Sequence, residues 1–328
     1  MDISLFKKLL QEQLISASEF ENIDKNQREP LSVYWDVCTL LYFGILLFTS
    51  GLGILVYKNF DSIGHSALIT IIASTCIACF IYCFKKAGGY SNKKVESPNV
   101  LFDYVLLLAC LLLLTFVGYL QFAYNVFKND WGLATFVTMV LLFVTAYYFD
   151  HLGALSMAIT NLAAWAGFTV APMQIISEND FRDEQLTYTG LILGAGLVAI
   201  SFASTYRKIK VHFAFVYKNF GAHILFISLL AAMFHFNTIY FVWFVVLLTV
   251  AILFFLNALT EKSFYFLVIT VMYSYIGLSY VAVDTLFGMS GSVATLYISF
   301  IYFIASGIGL IRMLVHYNKK LKKNADLQ

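Results

Sequence analysis

With 328 residues, 60% hydrophobic and only 12% charged, the chain has too little polar surface to cover a water-soluble globule of its size. Its net charge of +2 is small and its basic residues are scattered between apolar runs, which argues against a nucleic-acid partner. Composition leaves a membrane protein, predicted to be an all-α polytopic transmembrane helix bundle.

Residues 1–36 are polar and read as a cytoplasmic amphipathic helical leader. They lack the apolar core and small-residue cleavage site of a secretory signal, so the first span is expected to direct insertion. Ile3, Phe6, Leu10 and Leu14 recur at helical spacing, and Ser16 with Glu19, or Ser18 with Glu21, offers a capping box for a second short helix that Pro30 ends. Asp2, Glu12, Glu19, Glu21, Asp24 and Glu29 outweigh four basic residues, making the leader a poor ligand for anionic lipid headgroups. Two readings stay open: docking on the basic loops from Arg207 to Lys218, or a solvated leader without a partner.

About ten spans follow, at residues 37–57, 66–84, 100–123, 132–150, 152–176, 188–206, 220–236, 239–259, 264–283 and 294–315. Each approaches the ~20 apolar residues that cross ~30 Å of hydrocarbon. The fourth and fifth are separated by little more than His151, the seventh and eighth by Asn237 and Thr238, so both pairs are expected to be tight antiparallel hairpins. Residues 316–328 form a basic cytoplasmic tail. All but three of the 21 Lys and Arg residues fall in alternate gaps and the two ends, Lys58, Lys128 and Arg182 being the exceptions. Retention of Lys and Arg on the cytoplasmic side then places both termini inside.

Leu10, Leu14, Ile15, Ser16 and Ile23, then Gly51 and Gly53, then Asn59, Phe60, Asp61, Ser62 and Ile63 form an ordered series over roughly the first 80 residues. The series resembles the domain of unknown function 2157 family of predicted bacterial membrane proteins. That family has a leader with an Ile-Ser turn, a Gly-rich first span and an Asn-aromatic-x-x-Ile loop. This chain has Phe60 where the family often has Trp, and Leu14 where Gly usually precedes the turn. The resemblance implies a multi-pass membrane fold and brings no activity with it.

Polar residues inside spans are the candidate site. In the third span Asp103, Cys110, Gly118, Gln121 and Asn125 fall within roughly 80° of arc and should look into the bundle rather than at lipid. Asp150, His151, His223 and Asn257 share the inner depth with Asp103, and a carboxylate near a histidine is what a proton relay needs. Interfacial anchoring is the competing reading. Asn161 and Trp165 lie one turn apart on the fifth span, with Phe168 and Pro172 continuing that face; it either lines a substrate path or packs against a helix through the Asn. Gly190 and Gly194 read as a close-packing face.

Cys76, Cys79 and Cys83 share a face without a histidine at ligand spacing and are read as packing, so no metal and no cofactor are expected. The acidic stretch Glu178 to Glu184 lacks a calcium-loop pattern. Phosphate loops, nucleophile elbows and zinc-hydrolase helices are missing from the sequence, so an enzyme is not the favoured reading. The expected function is a secondary transporter or permease for a small solute, coupled through Asp103, Asp150 or His223, with the bilayer, a solute and protons as partners. The alternative is a non-enzymatic scaffold, a homo-oligomer or a module recruiting a cytoplasmic protein through its leader.

Overall fold

In the computed structural model the described residues are 12, 15–16, 34–58, 64–128, 130–170, 184–290 and 293–325. The leader helices, the Asn59 to Ile63 loop, Pro172 and the acidic stretch before Glu184 lie outside them. Among the described residues there is no strand, and ten helices are long and apolar enough to cross a membrane. Helix is the expected solution for a chain in hydrocarbon, where no water can satisfy a free backbone N–H or C=O.

The chain forms two units, residues 1–63 and 64–328. The first contains α1 (Tyr34–Lys58). The second contains α2 (His65–Lys86), α3 (Val100–Tyr124), α4 (Trp131–Phe149), α5 (Leu152–Val170), α6 (Glu184–Arg207), α7 (Ala214–His235), α8 (Tyr240–Thr260), α9 (Phe264–Ser290) and α10 (Val293–Ala325). Several boundaries differ from expectation, among them the end of α9, which runs on to Ser290 rather than stopping at 283. α7 begins at Ala214, behind a 3-10 turn at Val211–Phe213, so Lys218 lies inside the helix rather than in the preceding loop. α10 continues through residues 316–325.

Local signals fix several helix ends. Asn99 Oδ1 accepts the Phe102 N–H at 2.7 Å to start α3, and Asp130 Oδ1 accepts the Leu133 N–H at 2.9 Å to start α4. Asn125 and Asp150 end those helices in the left-handed region, at φ 50 and 57, a conformation that Asn and Asp tolerate best among residues with a side chain. His151 Nδ1 accepts the Ala154 N–H at 3.1 Å and caps α5, so Asp150 and His151 alone make the α4–α5 turn. The α7–α8 link is similarly short, a 3-10 turn at Asn237–Ile239.

Two buried clusters hold the second unit. One joins α3, α4, α5, α6 and α7 through Cys110, Leu142, Leu155, Ile159, Leu197 and Tyr217. The other joins α7, α8 and α9 through Phe226, Leu229, Leu247, Phe254 and Leu267. α6 and α7 approach closely at Gly194, where an added Cβ would lie 2.6 Å from the Leu225 nitrogen, and a Cβ on Gly221 would meet Val198 from the other side. The small-residue face read from Gly190 and Gly194 is therefore a helix contact.

Candidate functional site

Alternation of the helices brings the α2–α3 connection, the α4–α5 turn, the α6–α7 and α8–α9 connections and the end of α10 to one side of the second unit, called here the basic end. The first polar centre is built on the α4–α5 turn. Asp150 Oδ1 accepts from Lys210 Nζ and from His212 Nε2, each at 2.7 Å, and Oδ2 accepts the Val95 N–H at 2.5 Å. The Asp150 and Lys210 side chains are each only 1% exposed, so the two charges are buried against one another.

Three segments distant in sequence meet at this carboxylate. Lys210 also donates its backbone N–H to the Asn92 carbonyl at 3.0 Å, and its ammonium lies 5.3 Å from the centre of the Tyr90 ring. Its backbone is in the left-handed region at φ 47, unusual for a lysine and held here from both its N–H and its ammonium. Burial works to raise the Asp150 pKa, but hydrogen bonds from Lys210, Val95 and His212 outweigh it, holding the carboxyl below its usual range.

His151 sits beside this centre without joining it. Since Nδ1 accepts the capping N–H, the ring proton is on Nε2, which faces Asp103 Oδ1 at 3.7 Å. Asp103 in turn accepts from Ser97 Oγ at 2.5 Å. Burial lowers the His151 pKa, against the opposing pull of Asp103.

The other sequence-identified residues have separate partners. Lys218 Nζ donates to Asn257 Oδ1 and to Glu261 Oε2, the latter at 2.5 Å, and lies 4.7 Å from the Phe266 ring centre. His223 Nδ1 shares a 2.8 Å hydrogen bond with Tyr273, whose ring stacks on Phe226. Thus the structure pairs Asp103 with His151 and sets Asp150 next to them in the chain, but gives Asn257 and His223 partners of their own.

At the opposite end, Gln121 is buried and folds the α3–α4 loop. Its amide nitrogen donates to Asn125 Oδ1 at 3.1 Å and its oxygen accepts the Phe127 N–H at 2.9 Å. Trp165 lies across from Phe136, ring centres 5.5 Å apart, in a recess of about 540 Å³ that Lys128, Asp130, Trp131, Phe168 and Thr169 also line. Asn161 lies one turn deeper on the same face of α5 as Trp165.

Lys210, His212, Lys218, Glu261 and Tyr273 were not singled out in the sequence. Lys218 carried a usable signal, because it follows Phe215, Val216 and Tyr217 in a helical apolar run, and a charge in such a run needs a partner. The three cysteines of α2 pack: Cys76 Sγ donates to the Ala109 carbonyl at 3.5 Å and Cys83 is buried against Phe102 and Leu106.

Residues 7–155 match the model of a family described as predicted membrane protein (DUF2157). The matched segment runs well past the first 80 residues and ends in the first turn of α5. It therefore includes Asp103, Asp150 and His151 and stops before Trp165, Lys210 and His212. No curated protein and no solved structure matches the chain.

Proposed function

We propose that this multi-pass membrane protein is a secondary transporter or permease for a small solute, entered through the recess at Trp165. The observation that supports this reading is the recess itself, which sets a lysine, a carboxylate and two indoles, Lys128, Asp130, Trp131 and Trp165, around a space of about 540 Å³. Such a mixture suits a small polar or zwitterionic solute: the charges orient it and the aromatic faces cover its apolar part. Asn161, one turn deeper, supplies the next polar contact along α5.

At the basic end, Asp150 and Lys210 close the three connections against one another, which fits a state open only at the Trp165 side. The Asp103 and His151 pair is the candidate for proton coupling, because its histidine keeps a free N–H facing a half-exposed carboxylate. Asp150, held ionised by Lys210, suits a fixed counter-ion better. With both termini cytoplasmic, as the Lys and Arg distribution implies, the recess opens to the outside of the membrane that holds the protein.

The chain contains only four tryptophans, so intrinsic fluorescence reports on the recess. Titration of reconstituted protein with amino acids, amines and small carboxylates should find a class that changes the emission of the wild type. The same class should move across proteoliposomes, with Trp165→Ala and Asn161→Ala each slowing flux at least tenfold. A bound solute without flux would overturn the transporter reading. The scaffold reading draws on one observation, that the basic-end polar groups are paired within the chain; it predicts neither binding nor flux.

A further inference from the structure

A second cavity lies at membrane depth between α8, α9 and α10. It is a groove of about 380 Å³ walled by Ala251 and Phe255 of α8, Val271 and Tyr275 of α9, and Gly309 and Leu310 of α10. Its few hydroxyls are spent locally. Thr270 donates to the Phe266 carbonyl, Ser274 to the Thr270 carbonyl, and Tyr275 shares a 3.0 Å hydrogen bond with Ser306. A polar solute would find every hydroxyl proton of the wall already donated, whereas a hydrocarbon chain loses nothing by entering.

The groove runs towards a basic stripe. α10 has 33 residues, about 50 Å of helix against ~30 Å of hydrocarbon, so its last turns pass beyond the apolar core. On those turns Arg312, His316, Lys319 and Lys320 recur at i, i+4, i+7 and i+8, within roughly 100° of arc, and all four are exposed. Arg312 lies one turn beyond Gly309, and His316 and Lys320 lie one and two turns beyond Met313, another wall residue. Lys320 and His316 thus follow the groove-lining face of α10 to the interface, and Arg312 and Lys319 border that face on one side. Arg312, Lys319 and Lys320 make no ion pair with any described residue, and Glu261, at the end of α8, is already held by Lys218.

We infer that this groove and stripe form a site for one anionic phospholipid, its acyl chain between α8 and α10 and its phosphate against Arg312, Lys319 and Lys320. An apolar slot opening sideways in hydrocarbon and ending in three unpaired cations at headgroup level is complementary to a lipid of that charge. Inside the second unit the inner half of α10 is anchored by Leu310, Leu314 and Tyr317 on the neighbouring cluster, with Tyr317 edge-on to Phe255. The groove therefore has fixed walls on both sides.

Full-length protein, stripped of lipid in detergent, is titrated with dioleoyl phosphatidylglycerol or dioleoyl phosphatidylcholine, and bound lipid is counted by native mass spectrometry. The expected result is one lipid retained, with phosphatidylglycerol preferred by on the order of 100-fold. The triple variant Arg312→Gln, Lys319→Gln, Lys320→Gln should bring phosphatidylglycerol down to the phosphatidylcholine level. Gly309→Phe, at a position where an added Cβ meets nothing within 4 Å, should fill the groove and remove both. Equal retention of the two lipids by the wild type, or a preference that survives the triple variant, would overturn the proposal. A wild-type dimer that Gly309→Phe makes monomeric without changing lipid retention would give the groove to a second copy and overturn it too. If Gly309→Phe does not fold, the headgroup preference and the triple variant decide alone.

Discussion

Lys210 and Lys218 are neighbours in the chain, both buried, both paired with a carboxylate, yet they are held in different ways. The side chains of Lys210 and its partner Asp150 are each 1% exposed, and the pair joins three connections through Val95, Asn92 and His212 as well. Lys218 is buried, but its partner Glu261 is 46% exposed and the neutral Asn257 shares the ammonium. The first pair is a closed electrostatic knot on which loop positions depend. The second joins a buried ammonium to one carboxylate that reaches water and one neutral acceptor that does not depend on it.

The largest expected effect follows from that difference. Asp150→Asn leaves an ammonium buried without a counter-charge, and should cost about 3–5 kcal/mol of stability, read as a lower thermal unfolding temperature in detergent. Asp150→Asn combined with Lys210→Met removes both charges at similar volume and should be more stable than Asp150→Asn alone. If the double variant is as damaged as the single, the Val95 and His212 hydrogen bonds rather than the charge pair hold the knot.

Acid should next separate Asp150 from its chain neighbour His151. The folded pKa of Asp150 is lowered, so its contribution is complete above the unfolded value near 3.8 and is lost as pH falls below that towards the folded value. His151 is lowered as well, by burial: the unfolded chain takes up its proton from about pH 6.5 downward while the folded chain resists, so stability declines earlier in acid. Unfolding temperature measured from pH 7 to 3 should therefore fall in two stages. His151→Asn, which keeps an acceptor for the α5 cap, should flatten the stage below pH 6.5, and Asp150→Asn the stage below pH 4. A wild-type profile that stays level from pH 7 to 5 would remove His151 from this account.

The same contrast shows what the sequence could reveal. Ten spans were legible because each apolar run approaches bilayer thickness, and the small face at Gly194 is a local signal. Asp150 and His151 were identifiable as polar groups in a two-residue turn. The partners Lys210 and His212 were not, since they stand some sixty residues away in a loop whose position depends on which hairpins pack together. Trp165 and Asn161 could be placed on one face of α5, but the recess around Trp165 needed the α3–α4 loop folded by Gln121. Lys218 was within reach: assigning it to a loop shifted the start of α7 and hid its bond to Asn257.

Glu261→Gln is expected to have the smallest effect and tests the comparison most directly. Lys218 would keep Asn257 as acceptor and the Phe266 ring beneath it, and water already reaches the far side of residue 261, so the loss should stay below about 1 kcal/mol. What loss there is should shrink further in high salt, because an exposed carboxylate is screened where a buried one is not. Asn257→Leu should cost more than Glu261→Gln despite removing no charge, since it takes away the acceptor on the buried side of the ammonium. A Glu261→Gln effect as large as that of Asp150→Asn, and insensitive to salt, would mean that Lys218 depends on its carboxylate as Lys210 does, and that exposure of the partner does not divide the two sites.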